Sequence, residues 1–174
     1  MPDPCLLPEE SEEVHSTSSW CCENKCDASI SEDGWVGLGA VARDHEGSVL
    51  CAAMRRTNAY WPPPIAEAKA LLLAAKLGRR MEFEEVLIET DCKELTSRLS
   101  KGATHLTDLD AVLSDVLFLC SSFSRVNWVH VCHDGNFVAH YLARLIPFGD
   151  EQIWFNHAPV EVEPYVNMDT LLIE

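Results

Sequence analysis

The sequence predicts a single α/β domain with a five-stranded mixed sheet, three antiparallel strands followed by two more, and helices on both faces. Three observations carry this. The 174 residues suffice for one sizeable core, which makes one domain the default. Three extended runs come first, with no helical pattern between them. Helical and extended patterns then alternate in the order βββαβααβα, which places helices against a mixed sheet.

Residues 20–149 hold these elements. The first extended run, CCENKCDASI, is unusually polar for a strand. WVGLGAVARD and SVLCAAMR follow, joined by His45-Glu46-Gly47, and a glycine in so short a loop between β-formers reads as a hairpin. Pro62, Pro63 and Pro64 end the extended region, and proline is tolerated in a first helical turn. IAEAKALLLAAKLG is dense in Ala and Leu, the composition of a helix, with Gly78 as its C-cap candidate. EEVLIETD reads as a fourth strand, and DCKELTSRLS as a helix beginning where that strand ends. DLDAVLSDVLFLCSSF carries Leu109, Val112, Leu113, Val116 and Leu117 at helical spacing. SRVNWVHVC alternates as a fifth strand, and NFVAHYLARLIPF is the last helix, with Asn136 as its candidate N-cap.

Composition separates the rest of the chain from this body. Residues 1–19 contain five acids and no Lys or Arg. With Ser and Pro and little apolar surface, they read as a disordered acidic leader that can be deleted with little loss of stability. Residues 150–174 carry a charge of −6 and read as an acidic C-terminal extension of the domain. Of the net charge of −15, only −4 remains on residues 20–149. Long-range attraction to phosphate is therefore poor, although the balance leaves room for a local basic stripe. Its pool is Arg55, Arg56, Lys69, Lys76, Arg79, Arg80, Lys93, Arg98 and Lys101.

No segment reaches the roughly 20 apolar residues that a membrane helix needs, so no membrane partner is expected. The N-terminus, MPDPCLLPEESEEV, lacks the basic and long apolar regions of a signal peptide. An intracellular location follows, nucleus or cytoplasm unresolved, with the protein a monomer. Eight cysteines occur without a CxxC pair. Cys21, Cys22 and Cys26 with His130, Cys132 and His133 match no standard zinc spacing, so reduced thiols are expected.

Three acids stand where structure alone seldom asks for them. Asp27 lies in a strand, where Asp is depleted. Glu67 lies in the first turn of the Ala/Leu helix, on the face shared with Ala70, Leu71 and Ala74. Asp91 falls where the fourth strand runs out, the end at which α/β sheets place ligands. Each has a plain alternative: Glu67 favours a helix start, Asp91 can cap the next helix, and Asp27 can end its strand. Together, three acids turned toward the core repel and raise one another's pKa unless a cation neutralises them. Hard oxygen donors suit Mg²⁺ or Mn²⁺. Phosphodiester hydrolysis uses such an arrangement with two ions about 4 Å apart.

The motifs then extend along most of the chain. Asp27-Ala28-Ser29, Asp33-Gly34, Gly37 to Asp44 and Gly47 resemble the opening of plant RNase H-like domains, the type 1 ribonuclease H associated with retroelement reverse transcriptases. Ala66-Glu67-Ala68 resembles that family's first helix, and Val86-Leu87-Ile88-Glu89-Thr90-Asp91 its "EsD" strand end. Asn136 to Ala143 is similar to its last helix, usually "NxxADxLA", and Ile153-Trp154 and Pro159 to its tail. The likeness runs from about 20 to 170. It implies an RNase H-like fold and two-ion cleavage of RNA in RNA–DNA hybrids, with Asp27, Glu67 and Asp91 as metal ligands.

Departures from the pattern bear on activity. The family's fourth carboxylate falls on His140, a fourth candidate catalytic residue. Imidazole suits Mg²⁺ poorly, whereas Mn²⁺ or Zn²⁺ accepts it. Asp134, six residues earlier, is about 240° round a continuous helix and cannot stand in. Asn136, one turn before His140, shares its face, where it can hold a metal-bound water. In the first strand Cys22, Asn24 and Lys25 replace residues more usual in the family. His130, ten residues before His140, stands where related domains place a mobile proton-transferring histidine, and it equally suits a strand position alternating with Trp128. His133 stands in a loop often holding Arg.

The expectation is a divalent-metal-dependent hybrid ribonuclease with its three acids within a few ångströms and His140 facing them. The alternatives are a weakened domain that only binds nucleic acid or protein, and an interaction domain whose acidic tails engage a basic partner.

Overall fold

The computed structural model describes residues 21–102, 107–146 and 149–171; the expected leader at 1–19 lies outside them. The chain forms β1 (Cys21–Ile30), β2 (Trp35–Arg43), β3 (Val49–Asn58), α1 (Pro63–Arg80), β4 (Glu85–Thr90) and α2 (Lys93–Lys101). It continues with α3 (Asp108–Cys120), β5 (Arg125–His130), α4 (Phe137–Arg144), β6 (Glu151–Phe155) and α5 (Glu163–Leu171). A short 3₁₀ turn, His133–Gly135, precedes α4.

The sheet has six strands in the order β5-β4-β1-β2-β3-β6, not the expected five. The strands β1, β2 and β3 form the expected antiparallel meander, and β4 and β5 add to β1 in parallel. The sixth strand lies in the acidic extension and pairs antiparallel with β3, Trp154 opposite Ala52. Acids on either side hide its short alternation: Ile153 packs on one face of the sheet and Trp154 on the other. Without it the long β3 would leave a row of unpaired backbone groups at the edge.

Alternation along β2 shows how the two faces are filled. Leu38, Ala40 and Ala42 join the larger core with α1, α2 and α3, whereas Val41 joins a smaller one with Val138, Leu142 and Val162. Small side chains let α1 lie close: Ala66, Ala70, Ala74 and Ala75 are all fully buried.

Two caps differ from expectation. Gly78 is not the C-cap of α1; the helix runs on to Arg80 with Met81 at its end. Gly78 is instead a packing glycine, since an added Cβ would lie 3.2 Å from both Asn24 and Phe123. Asn136 precedes α4 but makes no side-chain cap. Its amide donates across to the Cys26 carbonyl at 2.9 Å. The thiol expectation also needs one correction: Cys132 is disulfide-bonded, while Cys26, Cys51, Cys92 and Cys120 are free thiols. No described helix is long and apolar enough to cross a membrane.

Candidate active site

The site forms where two parallel strands part. The β1–β4 ladder ends at Lys25 opposite Glu89, and β1 continues beside β2 alone. Asp27 is two residues past that last pair and Asp91 is one past the end of β4, so both lie at the carboxyl end of the parallel pair, where open α/β sheets leave a crevice. Glu67 enters from α1. It starts the second turn rather than the first, which carries no acid. Its face is the apolar one, with Ala70, Leu71 and Ala74 fully buried.

One carboxylate oxygen of Asp27, Glu67 and Asp91 each lies within 4.8 Å of the others. Asp27 is only 3% exposed. Burial, then the charge of Asp91, raises its pKa above the ordinary carboxylate range, against the opposing hydrogen bond from His140. Burial and the charges of Asp27 and Asp91 push Glu67 up to about 9. The Glu67 Oε2 atom is buried and lacks a hydrogen-bond partner. A buried, unpartnered oxygen among mutually repelling acids fits a divalent cation, and an all-oxygen donor set suits Mg²⁺ or Mn²⁺. Asp91 makes no cap for α2, whose N-cap is Cys92.

Histidines complete the rim. His140 Nδ1 lies 2.8 Å from Asp27 Oδ2, and Arg144 Nη1 approaches His140 Nε2 at 3.4 Å. A guanidinium can only donate, so Nε2 accepts and Nδ1–H donates to Asp27. His133 Nδ1 lies 3.2 Å from Asp91 Oδ2, and its ring meets that of His140 edge-on at 4.8 Å. His130 is exposed and donates from Nε2 to the Asp91 backbone carbonyl at 3.2 Å. It therefore touches the Asp91 backbone, while His133 touches the carboxylate. Asp134 is exposed in the 3₁₀ turn, and Asn136 is fully buried beside Cys26.

Three contributors are not apparent from the sequence. Lys25, 4% exposed, donates to the Gly135 carbonyl at 2.7 Å and pairs with Glu23 and Glu89. It thereby ties the turn bearing His133 to β1. Arg144 and Arg56 line a groove of about 410 Å³ with Ser29, Ser31 and Trp35. Arg56 lies over the Trp35 ring at 4.9 Å, a platform suited to a base or phosphate. Arg56 belonged to the expected basic pool; Arg144 and Trp35 did not. Only the alternation of short-range charges with one aromatic could have flagged them, and that pattern is common on any surface.

Comparison with known proteins agrees with this architecture. No curated protein gives a significant match. Among solved structures, RNase H1 from Halobacterium salinarum aligns with a TM-score of 0.66 at 18% identity, over 71% of this chain and 95% of that one. The N-terminal RNase H domain of a Mycobacterium tuberculosis protein aligns with a TM-score of 0.66 at 22% identity, over 72% and 92%. LC11-RNase H1, solved in complex with an RNA/DNA hybrid, aligns at 0.63 and 17% identity, over 71% and 94%. At such identities the likeness speaks to fold. Residues 25–146, most of the sheet and α4 included, match the family described as reverse transcriptase-like, and to that family, with its RNase H-like fold, this chain belongs.

Proposed function

We propose that the chain is a divalent-metal-dependent endoribonuclease of the RNase H type that hydrolyses RNA in RNA–DNA hybrids and acts as a monomer. The observation that supports this most is the convergence of Asp27, Glu67 and Asp91 within 4.8 Å at the mouth of the β1–β4 crevice. These three carboxylates would hold two ions, Mg²⁺ or Mn²⁺, which when bound activate water and stabilise the leaving oxygen. The residues themselves position and screen. Asp27 is held by the His140 ring, and His133 holds Asp91. The groove with Arg56, Trp35 and Arg144 offers donors and a ring face to the nucleic-acid strand.

A second reading rests on His140. It replaces a fourth carboxylate with a neutral donor whose Nδ1–H is committed to Asp27. A domain so altered binds a hybrid or a protein partner without turnover.

One experiment separates the two. Hybrid cleavage with Mg²⁺ and Mn²⁺ in parallel is expected to be weak in Mg²⁺ and better in Mn²⁺, because a His140 ring released from Asp27 would offer a nitrogen donor that suits the softer ion. His140→Asp restores an anionic oxygen and is expected to raise cleavage about tenfold or more, the scale of losing or regaining a group that supports a metal. If His140→Asp stays folded and cleaves nothing with either ion, the binding reading replaces the enzymatic one.

A further inference from the structure

The helix carrying His140 cannot satisfy its own start. An α-helix leaves its first four N–H groups without internal partners, and Asn136, at the N-cap of α4, has turned its side chain to β1. Two of these amides are taken by a residue from the far end of the chain. Phe137 N donates to Asp169 Oδ1 and Val138 N to Asp169 Oδ2, both at 3.1 Å. Asp169 is fully buried on α5. Its charge is balanced by Arg43 Nη2 from β2 at 3.2 Å, and both side chains are wholly inaccessible. Arg43 Nη1 also donates to the Val166 carbonyl at 3.3 Å. Tyr165 of α5 stacks on Tyr141 of α4, with centroids 3.7 Å apart and 12° between planes.

We infer that Asp169 is a positioning residue for the His140–Asp27 contact, acting as an N-cap that α5 supplies to α4. This rests on the proposed role of that site. α5 lies beyond the residues matched by the family, which end at 146. α4 spans only Phe137–Arg144, so a helix of two turns has little stability of its own. Its position is set from outside at three places. The Asn136 amide fixes the turn against β1, the bare backbone of β2 at Gly37 and Gly39 receives the helix flank, and Asp169 fixes the first turn. An anionic cap also favours the positive end of the helix dipole. His140, one turn in, is then held 2.8 Å from Asp27. Loss of the cap frees the first turn and with it the angle of the imidazole.

The test uses the full chain without metal. Asp169→Ala alone removes a buried partner of Arg43 together with the acceptor of two helix amides, which is strongly destabilising. The informative variants are the pair Arg43→Met with Asp169→Leu, which replaces the ion pair by apolar volume, and Asp169→Asn, which keeps an acceptor oxygen. Proton NMR reads the His140 Nδ1–H held by Asp27, and hydrogen exchange reads the amides of residues 137 and 138. In the folded double variant the ring proton signal is expected to broaden or vanish and both amides to lose protection; Asp169→Asn shows the same changes at smaller size. Hybrid cleavage, if the parent has it, falls about tenfold in kcat. An unchanged His140 ring proton in either folded variant would overturn the inference and leave α5 a simple cover. A parent without cleavage would overturn the enzymatic reading alone, because the ring proton is read without substrate or metal.

Discussion

Without divalent metal, the protein should lose stability as pH rises from about 4.5 to about 9, and Mn²⁺ or Mg²⁺ should restore it most at the alkaline end. Glu67 is the main cause. Burial and the charges of Asp27 and Asp91 raise its folded pKa to about 9, from an ordinary value of 4.5. Between those values the folded state holds a proton that the unfolded state has released, so stability falls with pH. Below the lower value both states are protonated and the contribution is fully present. A tenfold difference in proton affinity corresponds to about 1.4 kcal/mol, so even part of the rise in Glu67 costs a few kcal/mol near pH 8. A cation bound only by the folded state adds stability by mass action. It binds better once the carboxylates are ionised.

Thermal melts across this range in chelator and in excess Mn²⁺ check the expectation. Glu67→Gln should raise the chelated Tm at pH 8 by several degrees and abolish most of the response to Mn²⁺. Some pH slope should survive, because Glu89 is pushed up to about 8 by burial and Glu23. A flat Tm in chelator from pH 5 to 9, or a full Mn²⁺ response in Glu67→Gln, would contradict a metal site built on these coupled acids.

The other large effect should come from a glycine. Gly37→Val is expected to cost about 4 kcal/mol or more, the range kept for core disruption, or to prevent folding. A Cβ on Gly37 would stand 1.7 Å from the Ala143 carbonyl oxygen, and one on Gly39 2.3 Å from that of Ala139. These are backbone atoms of α4, which can yield only by moving the whole helix. Such movement would carry His140 away from Asp27 as well. Gly135→Ala is the control, since nothing lies within 4 Å of its added Cβ. Denaturant unfolding measures both. A Gly37→Val protein within about 1 kcal/mol of the parent, on the scale of tolerated packing changes, would show that α4 is not seated on the bare backbone of β2.

Much of the architecture could be read along the chain. Apolar alternation and Pro/Gly punctuation locate β1 to β5, and the Ala/Leu periodicity locates α1. The acids stood out by being in the wrong places: Asp27 in a strand, Glu67 on an apolar helix face, Asp91 where a strand ends. Local sequence carries such information because period and propensity act over a few residues.

What the chain hid was decided by contacts between distant segments. The sixth strand exists because β3 offers an unpaired edge to Ile153 and Trp154, and no local pattern announces a vacant edge. Asn136 has the composition of an N-cap, yet it bonds to β1 while Asp169, an acid that reads as solvated tail, is fully buried against Arg43. In sequence His130 stands where a proton-transferring histidine is expected and His133 where Arg is usual, yet His133 is the one that reaches the Asp91 carboxylate, from a turn that Lys25 ties to β1. In each case a polar group found its partner across tens of residues, because a buried donor or charge must be satisfied wherever the fold supplies the complement. Propensity states what a residue favours alone, and burial determines which of its possible partners it takes.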